Sequence, residues 1–262
     1  MSTGVRSPGR ARIQEKTLRQ DNWWLYPLVT FVVFTAFVVY ATWRAFAGTH
    51  YYSAPYLSPF YSPCMGKDCV EGSADFGRPF GFWPLSPALI ILIVPLGFRL
   101  TCYYYRKAYY RAFWLSPAAC AVAEPHKRYS GETRFPLIFQ NLHRWFLILS
   151  AIVAAVLTYD VVLTFRDASG EWGHMGLGTV IMAVNVALIW GYTLSCHSCR
   201  HLIGGRLRHF SKHPLRYRFW TGVTRLNPHH PKFAWLSLFS VALTDLYVYL
   251  LATGAFTDPR FF

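Results

Sequence analysis

Five long apolar segments dominate the sequence and are separated by polar or basic stretches. Each is long enough to form a helix that crosses the hydrocarbon core, since about 20 residues span it at 1.5 Å per residue. The segments cover roughly residues 24–46, 82–100, 135–165, 177–194 and 233–256. This pattern predicts an all-α membrane protein with five transmembrane helices.

The amino-acid composition supports the same prediction. Hydrophobic residues make up 53% of the 262 residues and charged residues only 15%, whereas soluble domains carry about 25% charged residues. The first apolar segment is too long for the apolar region of a signal peptide, and no small-residue cleavage site follows it. We therefore expect this segment to be a membrane span.

Basic residues, which produce the formal net charge of +14, concentrate in alternate connecting segments. They precede span one and fill the loops between spans two and three and between spans four and five. Because the positive-inside rule places such segments in the cytoplasm, we predict a cytoplasmic segment at 1–23, a five-helix domain at 24–256 and an external tail at 257–262. The basic charge then serves orientation and anionic lipid headgroups, and we expect no nucleic-acid partner.

This orientation separates the cysteines into two groups. Cys64 and Cys69 fall in the first external loop, where an oxidising environment favours a disulfide bond between them. The alternative is a pair of unpaired thiols. The other four cysteines fall on the cytoplasmic side, where structural disulfides are rare, so they require a different explanation.

Thiol and imidazole side chains collect at the cytoplasmic edge of the predicted bundle. Cys102 and Cys196 lie about 30 Å along their spans from the external ends, and His143 lies about 12 Å inside span three. One layer near the inner membrane surface therefore offers several metal ligands, of which four are enough for one centre. The candidates are Cys102, Cys120, His143, Cys196, His197, Cys199 and His201.

The chemistry of these ligands narrows the choice of metal. Two thiolates with two imidazoles suit zinc or a Rieske-type [2Fe–2S] cluster. A redox cluster at a membrane face can connect a soluble electron donor with a lipid-borne acceptor, so we favour the cluster. The alternative is that these side chains cap helices, bind headgroups or pack.

The remaining histidines do not suggest a haem protein. A pair of transmembrane haems needs histidines on facing spans, and the predicted spans one, two and five contain none. We therefore do not expect haem. Five histidines of the basic segments are interpreted as ordinary loop residues: His126, His209, His213, His229 and His230.

Four long strings give the chain a family resemblance. They are RLTCYYYRKAYYRAFW, GETRFPLIFQNLHRWF, WGYTLSCHSCRHLIGG and the C-terminal AFTDPRFF. With them, the chain resembles the membrane-anchor subunit of actinobacterial succinate dehydrogenase, respiratory complex II, over essentially its whole length.

The resemblance implies a function that composition alone does not indicate. Such an anchor docks a flavoprotein subunit and an iron–sulfur subunit on the cytoplasmic face of the plasma membrane and passes electrons from succinate to menaquinone or ubiquinone. The chain would thus be part of an enzyme, while the chain alone is not expected to oxidise succinate. Better-known five-helix anchors hold two haems, and this sequence lacks their histidines, so the cysteine and histidine layer becomes the expected substitute.

The acceptor site and two acidic residues complete the sequence-based hypotheses. A quinone pocket is expected near the same membrane face, and the candidates for its lining are Arg99, Tyr103, Arg144 and Trp145. Asp160 and Asp245 lie near or within spans three and five, where they would serve a proton path or a helix-to-helix hydrogen bond.

Two functions of other classes remain open at this point. A membrane thiol–disulfide oxidoreductase would use the external cysteine pair together with quinone, although Cys64 and Cys69 lack the C-x-x-C spacing of such enzymes. A zinc-binding membrane scaffold would use the inner cysteines and histidines without redox chemistry.

Overall fold

The computed structural model consists mainly of helices. It describes residues 21–65, 73–75, 77, 82–120, 122, 131–205 and 207–262. The α-helices of the described residues are α1 (Leu25–Ala47), α2 (Ala88–Ile91), α3 (Ile93–Leu100), α4 (Tyr103–Trp114), α5 (His143–Leu163), α6 (Leu177–Leu194), α7 (His197–Gly204), α8 (Pro214–Leu226) and α9 (His230–Ala252). A small hairpin follows α1, in which β1 (Tyr52–Ser53) pairs antiparallel with β2 (Tyr56–Leu57).

Several of these helices can cross a membrane. Four helical stretches are long and apolar enough, namely Leu25–Ala47, Leu137–Leu163, Leu177–Leu194 and Pro214–Ala252. The pair Ala88–Leu100 and Tyr103–Trp114 passes the same test only together and is bent by 84°. The expectation of a helical membrane protein is confirmed, with four candidate spans among the described residues, or five if the bent pair counts as one.

The region predicted as span two does not form one straight helix. Pro95, in the first turn of α3, lacks the N–H that would bond the carbonyl of Ile91, and the helix is interrupted at Leu92 between α2 and α3. At Cys102 the backbone becomes extended, with φ −69° and ψ 127°, and α4 then departs from α3 by the 84° bend. With its aromatic and basic sequence, α4 is suited to the interface between membrane and water.

The loop after α1 and the C-terminal residues close one end of the bundle through buried carboxylates. Ser58 donates a hydrogen bond to Asp245 of α9, and Ser62 donates one to Asp160 of α5. Tyr56 donates to Asp258 at 2.6 Å. We call this end the cap end, and the opposite end, where α5 and α9 begin, the site end.

A buried ion pair at the cap end joins α1 to α9. Arg44 Nε lies 2.8 Å from Asp245 Oδ2, and both side chains are 0% exposed. Tyr40 donates a further hydrogen bond of 2.5 Å to the same carboxylate. Of the two roles considered for Asp245, these contacts show the helix-to-helix bond.

Close packing of α6 against α9 brings the site end together. A Cβ atom at Gly191 would lie 2.6 Å from a ring carbon of Phe233, a separation too short for any other residue without movement. Glycine at this position therefore lets the C-terminal half of α6 approach the first turn of α9. This approach places the residue after α6 beside the first residue of α9.

Candidate metal centre

Two similar dipeptides supply the cysteines of a buried group at the site end. Thr101–Cys102 follows α3, and Ser195–Cys196 follows α6. In both cases the cysteine has an extended backbone, with φ −64° and ψ 139° at Cys196, and the next helix begins immediately after it. Cys102 is 3% exposed and Cys196 is 2% exposed. A sharp change of chain direction thus buries both thiols.

Two histidines from other helices meet these thiols in a crossed arrangement. His143 Nε2 lies 3.1 Å from Cys196 Sγ, and His230 Nε2 lies 3.4 Å from Cys102 Sγ. His143 begins α5 and His230 begins α9. Both rings are buried, and among the histidines that the structure describes no others are.

The two hydroxyl residues hold the same two rings from the other side. Thr101 Oγ1 lies 2.9 Å from Nδ1 of His143, and Ser195 Oγ lies 2.8 Å from Nδ1 of His230. Each dipeptide therefore contacts both histidines, one through its hydroxyl and the other through its thiol. The four ligand-type side chains therefore contact one another at the ends of α3, α5, α6 and α9. We call Cys102, His143, Cys196 and His230 the buried set.

The partners of the two hydroxyls favour one tautomer of each ring. Each hydroxyl donates its single hydrogen to a backbone carbonyl of the preceding turn, that of Gly97 at 2.7 Å and that of Tyr192 at 3.1 Å. A hydroxyl that donates in this way accepts a hydrogen from the histidine, and this arrangement favours the tautomer with the proton on Nδ1. Nε2 is left with a lone pair directed at the thiol, which is the form that binds a metal.

Aromatic rings stack on both histidines. Phe98 lies parallel to His143 with ring centres 4.9 Å apart, and Tyr192 lies parallel to His230 at the same distance. The two aromatic residues precede Thr101 and Ser195 by three positions each. The stacking fixes the plane of each imidazole, because the hydrogen bond between Nδ1 and the hydroxyl alone would allow the ring to rotate.

The structure separates the seven predicted metal ligands into two groups. Cys102, His143 and Cys196 lie in the buried set. The other four lie outside it: Cys120, His197, Cys199 and His201.

The four ligands outside the set have different surroundings. Cys120 is exposed, and Cys199 is half-buried against the core beside the set. His197 and His201 lie on the exposed side of α7 with their Nε2 atoms 3.1 Å apart. Partial burial, followed by the neighbouring His201 and Arg200, lowers the pKa of His197.

Of the four residues predicted for a quinone pocket, only Arg99 lies in the interior. Its Nη2 donates a hydrogen bond of 3.0 Å to Ser237 of α9. Tyr103 and Trp145 are 56% and 66% exposed, and Arg144 is exposed as well. These three lie on the outside of the bundle, where aromatic and basic residues anchor a helix to headgroups.

The structure describes only one of the two cysteines of the predicted external disulfide. Cys64 forms a disulfide bond, whereas Cys69 lies outside the described residues. The pairing of these two cysteines therefore remains a prediction.

The buried set has the donor chemistry of a mixed cysteine and histidine metal centre. It offers two thiols and two imidazoles, and each imidazole has its second nitrogen bonded to a hydroxyl, as ligand histidines usually have. Cys102 and Cys196 lie close enough to influence each other electrostatically, and so do His143 and His230. Two cysteines beside two histidines is the ligand set that a Rieske-type [2Fe–2S] cluster requires. The residues therefore fit this cofactor.

Sequence reasoning missed His230, which it placed in a basic loop before span five. A signal for the site was nevertheless present in the sequence. The strings FRLTC, residues 98–102, and YTLSC, residues 192–196, share an aromatic residue, a leucine, a hydroxyl residue and a cysteine at equal spacing. Their repetition marks two equivalent half-sites, and each half-site needs its own histidine.

The fold and this set define a helical integral membrane protein with a buried cysteine and histidine centre at one end of its bundle. A sequence profile of the family described as actinobacterial succinate dehydrogenase subunit SdhC matches residues 25–254. The chain belongs to this family. It is thus a membrane-anchor subunit of an oxidoreductase complex, located in the plasma membrane as a multi-pass protein.

A solved structure agrees with this assignment. The chain is similar to a chain of the Mycobacterium smegmatis Sdh1 complex in the apo form, with 53% sequence identity and a TM-score of 0.87. The similarity covers 100% of this chain and 99% of the other. No curated protein matches the chain significantly.

Proposed function

We propose that this chain docks the flavoprotein and iron–sulfur subunits of succinate dehydrogenase on the cytoplasmic membrane face and delivers their electrons to menaquinone or ubiquinone. We further propose that Cys102, His143, Cys196 and His230 hold a Rieske-type [2Fe–2S] cluster for this purpose. The observation that carries the proposal is the crossed contact of the two thiols with the two histidines. Membership in the family supports the other two parts of the proposal, namely docking of the soluble subunits and electron delivery to quinone.

The cluster, when bound, supplies one-electron transfer at a potential raised by imidazole ligation. The chain's own residues prepare its site. Thr101 and Ser195 keep the proton on Nδ1 of both histidines, and the rings of Phe98 and Tyr192 hold the imidazole planes. Burial of all four ligands keeps water from the site.

Basic and aromatic helices at the site end support docking of the soluble subunits. The bend places α4 across the end of the bundle, and α7 packs against α8 at the same end. Basic residues along α4 and α8 are Arg106, Lys107, Arg111, Arg216, Arg218 and Arg225. Such a surface suits acidic partner surfaces as well as lipid headgroups.

Low-temperature electron paramagnetic resonance on the dithionite-reduced purified complex, with iron and zinc analysis of the same sample, tests the cluster. We expect a rhombic signal of low average g value, because two histidines ligate one iron. A colourless membrane subunit with zinc in place of iron would instead establish the zinc-binding scaffold. Loss of quinone reduction on replacing only Cys64 and Cys69, with iron content unchanged, would favour the thiol–disulfide oxidoreductase.

The hydroxyl of Ser195 is expected to influence how firmly the cluster is held. Ser195→Ala removes the acceptor for Nδ1 of His230, so the ring can rotate and its tautomer is no longer fixed. We expect iron affinity to fall by about 10- to 100-fold, as for other partners of ligand histidines, measured as iron retained against a chelator. Ser195→Thr keeps the hydroxyl and should retain iron. Equal iron retention in the alanine variant and the wild type would show that the Ser195 hydroxyl does not help to hold the cluster.

A further inference from the structure

Arg99 brings a positive charge into the bundle from the last turn of α3. Its Nη2 donates a hydrogen bond of 3.0 Å to Ser237. Its Nη1 donates to the hydroxyl of Tyr105 and, at 3.3 Å, to the carbonyl of Ala234. Tyr105 is 3% exposed, and Ala234 and Ser237 are both 0% exposed. Buried groups of α4 and α9 therefore hold the guanidinium in a fixed position.

The polar and aromatic partners of this guanidinium are all neutral. Besides the two hydroxyls and the carbonyl, they are the rings of Tyr105 and Tyr192, whose centres lie 5.5 Å and 4.8 Å from Cζ of Arg99. Within the described part of the chain, no carboxylate forms an ion pair with Arg99. A charge held among buried groups without a counter-ion is costly. The cost indicates that the charge at this position has a function.

The guanidinium lies next to one half of the buried set. Arg99 precedes Cys102 by three residues, and its carbonyl accepts a hydrogen bond of 3.2 Å from the N–H of Cys102. The ring of Tyr192, which contacts the guanidinium, stacks on His230. Arg99 is thus close enough to influence both Cys102 and His230 electrostatically. These two residues are one of the two thiol and imidazole pairs of the set.

The two half-sites differ in charge at this position. Arg99 is the second residue of FRLTC, and the equivalent residue of YTLSC is Thr193. The hydroxyl of Thr193 donates a hydrogen bond of 2.9 Å to the carbonyl of Ile189 within its own helix. The repeated sequence therefore places a cation beside Cys102 and a neutral residue at the equivalent position before Cys196.

We infer that Arg99 raises the reduction potential of the metal centre by stabilising the negative charge that one electron adds to it. This inference rests on the proposed function, in which the buried set holds a [2Fe–2S] cluster and the electron comes from succinate through the iron–sulfur subunit. A fixed positive charge favours the state with more negative charge, and buried surroundings screen this attraction weakly. Arginine keeps its proton throughout, so Arg99 acts only through its charge. A higher potential makes the centre a better acceptor for these electrons.

Redox potentiometry of the purified complex, with the electron paramagnetic resonance signal of the membrane subunit as readout, tests the inference. Arg99→Met removes the charge and keeps a long side chain. We expect the equilibrium between the two redox states to move at least about tenfold toward the oxidised centre, or about 59 mV on the midpoint potential for one electron. Arg99→Lys keeps the positive charge and should recover most of this change.

Arg144→Met provides a matched control for the loss of one charge. Arg144 is as basic as Arg99 and directly follows His143 of the buried set, but its side chain is exposed. Water and ions screen an exposed charge far more than a buried one. The midpoint potential of Arg144→Met should therefore stay at the wild-type value.

Ser237→Asp cancels the charge while Arg99 stays in place. The carboxylate would pair with the guanidinium, so the midpoint potential should fall as in Arg99→Met. This variant decides the question if Arg99→Met fails to retain iron. A wild-type midpoint potential in variants that keep the iron signal would show that Arg99 only joins α3 to α9, and the inference would be wrong. Absence of the iron signal in the wild type would instead contradict the proposed function.

Discussion

Replacing His230 with alanine should abolish the iron–sulfur signal of the membrane subunit and reduce succinate–quinone activity to background. The variant loses one of the four proposed ligands and leaves Cys102 without its imidazole contact. Electron transfer from succinate to phenazine methosulfate should persist, because it does not require the anchor. Electron paramagnetic resonance, iron analysis and both activity assays on one preparation measure this result.

The neighbouring residue provides a matched control for this prediction. His229 is exposed, whereas His230 is buried. His229→Ala should therefore keep iron, signal and quinone reduction at wild-type values. If instead His197→Ala removes the signal and His230→Ala does not, the cluster uses the histidines of α7, and the buried set has only a packing role.

Replacing Asp245 with alanine should destabilise the protein by about 3 to 5 kcal/mol, the usual effect of removing one partner of a buried ion pair. Arg44 would keep its charge at 0% exposure without a carboxylate. Tyr40 and Ser58 would lose their acceptor at the same time. The fall should appear as a lower Tm of the purified protein in detergent.

A second variant separates the ion pair from simple packing. The double substitution Arg44→Met with Asp245→Leu removes both charges and fills similar space, so it should recover much of the lost stability. A Tm of Asp245→Ala equal to that of the wild type would show that the pair does not hold the cap to α1 and α9. Metal content should remain unchanged in both variants, because the pair lies at the cap end.

The proposed metal centre and the buried carboxylates give the two ends of the bundle separate tasks. The proposed docking helices and metal ligands lie at the site end, while the buried carboxylates stabilise the cap end.

Much of the fold was predictable because it depends on local sequence. Long apolar runs can satisfy their backbone only as helices in a bilayer. For example, the segment predicted at 177–194 is α6, Leu177–Leu194. The bend after α3 was not predictable, since periodicity does not show where Cys102 leaves the helical conformation.

The amino-acid sequence was enough to predict the membrane class, the family resemblance and three of the four residues in the buried set. His230 was not predicted because span five was expected to begin at 233, after a proline. Proline in the first turn is compatible with a helix start, and α9 begins at His230. Only the tertiary structure selected His230 over His197 and His201. The reason is physical: the Nε2–Sγ contacts join helices far apart in the chain, and burial depends on how these helices pack.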